Sequence, residues 1–177
     1  MVSDSHRINE TTFRRVLWVL LILNMAAIFY LSHKPADEST VESDIFVNLP
    51  QQLFESAHPE LTPEEIYHVL QFVVRKTAHV IEFTTLSMFA TGLLVLYHVK
   101  YAYLLGFIFS SLYAATDELH QLFIPGREAK WTDLGFDMSG ALIGAVIVWL
   151  IVRRRRNQDD AEKGCPLTAS DSSSRYE

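Results

Sequence analysis

The apolar residues of this chain are gathered into four blocks, Val16–Ser32, Thr77–Tyr97, Tyr101–Thr116 and Leu134–Val152, separated by polar stretches. Each block is about 16–21 residues, close to the ~20 that span ~30 Å of hydrocarbon at 1.5 Å per residue. Backbone N–H and C=O groups in lipid need internal partners, so each block is predicted to be a helix. His33 to Val74 is the one sizeable connection. Within it, Thr62-Pro63-Glu64-Glu65 reads as a helix start, with Thr62 as cap, Pro63 first in the helix and Glu65 placed to close a capping box. Ile66, Val69, Leu70 and Val73 follow at helical spacing. No Gly or Pro interrupts the run from Pro63 to Thr91. Continued to the end of the block at Tyr97, such a helix is ~50 Å long, so its first turns project from a bilayer or lie along its surface. Ile45–Phe54 is a shorter apolar patch of the same kind. The predicted fold is all-α, an integral membrane four-helix bundle with an amphipathic helical outer segment.

Charge adds an orientation. Arg14 and Arg15 precede the first block, Lys100 lies between the second and third, and Arg153 to Arg156 close the fourth. With four crossings these places share one side, which the Lys/Arg asymmetry assigns to the cytoplasm. That side holds 10 Lys/Arg and 7 Asp/Glu (net +3), against 5 and 14 elsewhere (net −9). The expected organisation is a cytoplasmic N-terminus over 1–15, a membrane domain over 16–152 with its outer loop at 33–74, and a cytoplasmic tail over 153–177. Both termini are then cytoplasmic. The first block is long for a cleaved signal sequence and no A-x-A site follows, so it reads as an uncleaved anchor. The Ser- and Asp-rich stretch from Asn157 has too little apolar content to build a core and is expected to be disordered. Cys165, the one cysteine, falls in it, so no internal disulfide can form. No basic patch points to nucleic acid.

Eleven polar side chains lie at or inside one end of the apolar blocks: Arg75, Lys76, His79, Glu82, Asp117, Glu118, His120, Gln121, Arg127, Asp133 and Asp137. Alternating crossings deliver all of them to the outer face. An ionisable group at membrane depth costs about 2.5–3.5 kcal/mol even on a mild insertion scale, so such a set is a functional-site candidate. At 100° per residue, Arg75, Lys76, His79 and Glu82 share a ~120° arc of one helix. Asp117 and Gln121 share a face, with Glu118 and His120 to either side. Asp133 and Asp137 continue the stripe of Gly140 and Gly144, a small-xxx-small pattern that admits a close neighbouring helix. Pro125-Gly126 predicts a turn that folds Arg127 back over the helix ends.

The order K-x-x-H-x-x-E, then D-E-x-x-Q, Pro-Gly-Arg, Asp and the paired glycines, carried by Lys76, His79, Glu82, Asp117, Glu118, Gln121, Arg127, Asp133, Gly140 and Gly144, resembles the VanZ-like family. The resemblance covers about Arg75 to Gly144. It implies a small multi-pass membrane protein of the bacterial cell envelope, in a family whose founding member is associated with teicoplanin resistance, and it supplies no reaction. Two positions depart from the family pattern: Asp137 stands where Asn is usual, and Phe83 where Tyr often follows the histidine–glutamate motif.

Three readings of the polar set stand side by side. As an enzyme, His79, Glu82, Asp117, Glu118 and His120 would do acid–base work, with Glu118 and His79 as base and acid. In every functional reading Arg75, Lys76, Gln121, Arg127, Asp133 and Asp137 would hold the substrate, its anionic group gripped by the cations. The substrate expected is a lipid-linked cell-wall precursor, a phospholipid headgroup or a glycopeptide. No Ser or Cys nucleophile lies in the set. A metal-assisted hydrolase or transferase would use His79, Glu82, Asp117, His120 and Asp133 as ligands, though no metal motif of strong spacing is present and no cofactor is implied. As a binding or exchange module the same residues would grip a headgroup without chemistry. As a scaffold, they would form an ion-paired network that fixes the helix arrangement.

Overall fold

The computed structural model describes residues 2–58, 60–127 and 130–163. They form five helices: α1 (Val2–Ser32), α2 (Ala36–Ala57), α3 (Pro63–Leu96), α4 (Ala102–Gln121) and α5 (Trp131–Lys163). The described residues contain no strand. Glu10–Ser32, Pro63–Leu96 and Trp131–Ala161 are long and apolar enough to cross a membrane. α4 carries Asp117, Glu118, His120 and Gln121 in its last turns and does not join these three.

α3 begins as its sequence dictates. The Thr62 hydroxyl accepts from Glu65 N–H at 3.3 Å, and the Glu65 carboxylate accepts from Thr62 N–H at 2.8 Å. This capping box satisfies two donors that a helix start leaves open, and Pro63 occupies the position where a missing N–H costs nothing. The helix then runs 34 residues, packs against all four others and so forms the axis of the molecule.

α1 and α4 run antiparallel to α3, and α5 runs parallel to it. Near its C-terminus, the Arg14 guanidinium lies 5.0 Å from the Tyr97 ring centre and the Trp18 indole donates to the Tyr97 hydroxyl at 3.2 Å. Eighteen residues after Arg14, Ser32 reaches the last turns of α4, while the first turns of α5 reach Lys76 and His79. The core between these ends is Leu21 and Ile28 of α1, Phe83, Leu86, Ala90 and Leu93 of α3, and Ala114 of α4. α5 crosses α3 at backbone distance. A methyl group on Gly140 would sit 2.5 Å from the Val80 carbonyl oxygen, one on Gly144 would collide with that of Thr84, and the Thr84 hydroxyl donates to Gly140 C=O at 3.0 Å. The small-xxx-small stripe is thus a contact seam. The outward faces of the long helices, with Ile22, Leu23, Leu142 and Ile143 all exposed, are apolar.

α2 lies antiparallel along the first turns of α3. Val47 is fully buried against Ile66 and Leu70, a contact that in water contributes roughly 1.5–3 kcal/mol per side chain. Above it, Gln71 donates to Asp44 at 2.6 Å and accepts from Ser43 at 2.6 Å, and the Tyr67 hydroxyl donates to Asp44 at 2.6 Å. The connection between the first two apolar blocks is therefore one long helix folded onto the start of α3, longer than the Ile45–Phe54 patch.

At the other end, α5 continues past the expected boundary at Val152 to Lys163. Arg155 and Arg156 stand four residues before Asp159 and Asp160, opposite charges at the spacing that supports a helix. The rest of the tail expected to be disordered, with Cys165, lies outside the described residues.

Candidate functional site

The last turn of α1, the middle of α3, the last turns of α4 and the first turns of α5 come together at one end of the molecule, and α2 closes the side. Chain direction alone puts the eleven polar residues at this end. Their tertiary contacts divide them into three groups.

The first group lines a cavity of about 430 Å³ between α2, α3 and the segment joining α4 to α5. Arg75, Lys76, His79, Gln121, Arg127 and Asp133 are on its wall. A smaller cavity of about 220 Å³ lies between the ends of α1 and α2 and the same stretch of α3, and Glu82 lines it. Arg75, His79 and Arg127 belong to both. Lys76 Nζ pairs with Asp133 Oδ2 at 2.6 Å, between the rings of Phe72 and Phe136. Arg75 and Glu82 have no hydrogen bond or ion pair among the described residues, and both face open space.

Arg127 is placed by its turn. Its N–H donates to Ile124 C=O at 3.2 Å, and Gly126 between them has φ 74°, the left-handed conformation that a glycine adopts without strain. The guanidinium then donates through Nε to Lys34 C=O at 2.9 Å and through Nη2 to Leu31 C=O at 3.3 Å. It thereby ties the turn to the end of α1 at Leu31 and to Lys34 just beyond it, whose N–H also donates to Leu31 C=O at 3.4 Å. Burial first, and the neighbouring Arg75 next, hold its pKa below the usual arginine value. Among the described residues, two of its five guanidinium N–H groups have acceptors.

The second group is buried behind the cavities. Asp117 accepts from the Ser32 hydroxyl at 2.8 Å and from the Gln121 amide at 3.0 Å, joining α1 to α4. Glu118 accepts from Lys130 N–H at 3.2 Å through one oxygen, and its other oxygen is buried without a partner among the described residues. Asp137 is fully buried. Its Oδ1 lies 3.3 Å from His79 Nδ1, within ion-pairing distance. The angles do not make a hydrogen bond, and neither Asp137 oxygen has another partner among the described residues. With His79 protonated the two groups would attract through charge, in poor alignment.

His120 forms the third group. Its ring stacks on Phe29 (centroids 4.7 Å apart) and its Nε2 is 3.2 Å from His33 Nδ1, on the side of α4 that meets α1. It lines neither cavity, and neither does Glu118. Among the described residues, no three His, Cys, Asp or Glu side chains are grouped so as to hold a metal ion.

Several site residues went unread in the sequence. Ser32 ends an apolar block and looks like a helix terminus, yet it is the buried partner of Asp117. Tyr67 and Gln71 have a signal: two polar residues four apart, interleaved with the apolar Ile66 and Leu70. Lys130 contributes its backbone N–H, which no side-chain pattern reveals.

The sequence pattern that defines the VanZ/LLP1 family matches residues 17–152 of this chain. The chain belongs to the VanZ/LLP1 family. No curated protein and no solved structure matches it. The matched VanZ/LLP1 region begins within α1 and ends within α5, so it includes both cavities and every residue of the polar set. With its three long apolar helices, this VanZ/LLP1 member is a membrane protein.

Proposed function

We propose that this protein binds the anionic headgroup of a membrane amphiphile at the extracytoplasmic face of the bacterial cell membrane. α1, α3, α4 and α5 cross as a four-helix bundle with both termini in the cytoplasm. Arg14, Arg15, Lys100 and Arg153 to Arg156 then mark the inner end, opposite the cavities.

One observation carries this reading. The described lining of the larger cavity holds Arg75, Lys76, Arg127 and Lys130, with His68 and His79, and one carboxylate, Asp133. The chain as a whole has net charge −6, so the basic lining does not follow from composition. With Lys76 matched by Asp133, Arg75 and Arg127 are left to share a ligand. Guanidinium groups suit phosphate because their planar N–H pairs bind two oxygens at once. Lipid phosphates and lipid-linked cell-wall precursors offer that chemistry, and holding such a precursor is the route by which the protein would alter glycopeptide sensitivity.

A second reading, acid–base turnover of the bound group, rests on Glu82, an unpaired carboxylate that lines the smaller cavity together with His79. It makes Glu82, which a ligand can touch, a better candidate base than Glu118, which lies beneath the cavity wall.

The test is calorimetric titration of methyl phosphate into the protein held in zwitterionic-lipid nanodiscs. The wild type should bind, and Arg75→Ala should weaken binding at least tenfold at unchanged melting temperature. Equal binding by the two proteins would sink the proposal.

A further inference from the structure

The two cavities share the wall formed by Arg75, His79 and Arg127 but differ in surface. The smaller presents a predominantly apolar surface, from Leu31, Phe46, Val74 and Ala78. Of its polar lining beyond the shared Arg75, His79 and Arg127, the Ser32 hydroxyl donates to Asp117 and that of Ser43 to Gln71, which leaves Ser39 and the Glu82 carboxylate on the wall. It also has a definite place. Leu31 is in the last turn of the α1 membrane span, and Phe46, on the facing helix α2, is 68% exposed. The chamber therefore sits beside the outer end of a spanning helix, at the level where the first carbons of a lipid chain leave the headgroup zone.

Resting on the headgroup reading above, we infer that the ligand is a single amphiphile occupying both chambers. Its phosphate lies between Arg75 and Arg127 in the larger cavity, and the first methylenes of its chain lie in the smaller one, entered sideways between α1 and α2. A cationic pair at the junction of a polar and an apolar chamber suits a molecule with one charged end and one apolar end. A free anion would leave the apolar chamber unused.

Alkyl phosphates separate the two claims, because the head stays constant while the chain grows. Methyl, butyl and hexyl phosphate are titrated into the full-length protein in zwitterionic nanodiscs, with empty discs as blanks. Each buried methylene should raise affinity about fourfold, so hexyl phosphate should bind far more tightly than methyl phosphate. Ala78→Phe, which fills the smaller chamber, should flatten the series to that variant's own methyl phosphate level. Phe46→Ala, which removes an exposed wall without adding bulk, should reduce the slope several-fold and guards against misfolding of the larger variant. A flat series in the wild type overturns the two-chamber inference alone. So does a slope that both variants leave intact. Failure of methyl phosphate to bind overturns the headgroup reading and this inference with it.

Discussion

Lys76 Nζ and Asp133 Oδ2 stand 2.6 Å apart and tie the middle of α3 to the first turn of α5 at the rim of the larger cavity. Both side chains keep some exposure, 15% and 18%. Their coupling should fall between the ≤1 kcal/mol of a surface pair and the ~3–5 kcal/mol lost when a buried pair is broken. A double-mutant cycle of Lys76→Ala and Asp133→Ala, read by reversible unfolding in micelles, should give about 1–2 kcal/mol. A coupling near zero would mean that the pair does not hold these helices together.

The glycines of α5 should respond by position. Gly144→Val drives a side chain into the α3 backbone and should cost at least about 1–3 kcal/mol, with reduced abundance in the membrane. Gly135 has nothing within 4 Å of the position its Cβ would take, and its backbone φ is not positive. Gly135→Ala should therefore stabilise the helix by roughly 0.5–1 kcal/mol. Thermal melts of the two variants should move in opposite directions.

Asp137 tests what its buried carboxylate needs. Asn has nearly the same shape and keeps polar atoms beside His79, whose imidazole can remain neutral next to an amide. Asp137→Asn should keep abundance and ligand binding near wild type. Asp137→Leu removes the polar partner and adds branched bulk at the seam, and it should lose both. An Asn variant that is dead at normal abundance would show that the charge itself is required.

His79→Ala and Glu118→Gln distinguish a site from a scaffold. His79→Ala, on the wall of both cavities, should weaken phosphate binding, and Glu118→Gln, beneath that wall, should leave it near wild type, both with the protein inserted and folded, measured as phosphate binding beside melting temperature. Unstable variants with residual binding would instead support a structural network, since an unpaired buried charge costs about 3–5 kcal/mol.

Topology has its own check. Reporter fusions after Ser32 and after Arg156 should report opposite compartments, with the Arg156 fusion cytoplasmic. Matching compartments would remove the single-sided arrangement on which the proposed site depends.

Much of this architecture is written in local pattern. The Thr62–Glu65 capping box and the glycine stripe of α5 are decided within a few residues of the chain, and both stand where the sequence puts them. α2 was only partly legible, because Pro50 sits inside it, where a proline ordinarily ends a helix, and burial of Val47 against α3 compensates. The site was legible as a set and not as a geometry. Helical period places Glu118 and His120 near Asp117, but only the approach of α1 decides that His120 stacks on Phe29 and His33. Likewise the backbone N–H of Lys130, twelve residues from Glu118, fixes that carboxylate beneath the cavity wall.

α3 contains no proline after Pro63 and no glycine before Gly92, so it lacks the residues at which long helices usually hinge. The stretch that lines both cavities and the end that meets Trp18 and Arg14 thus belong to one stiff rod, clamped midway where Gly140 and Gly144 of α5 bear on its backbone. A rod held at such a fulcrum answers a push at one end with an opposite swing at the other. On the proposed topology, a ligand wedged between α2 and α3 outside would be felt, as a tilt, at the inner surface of the membrane.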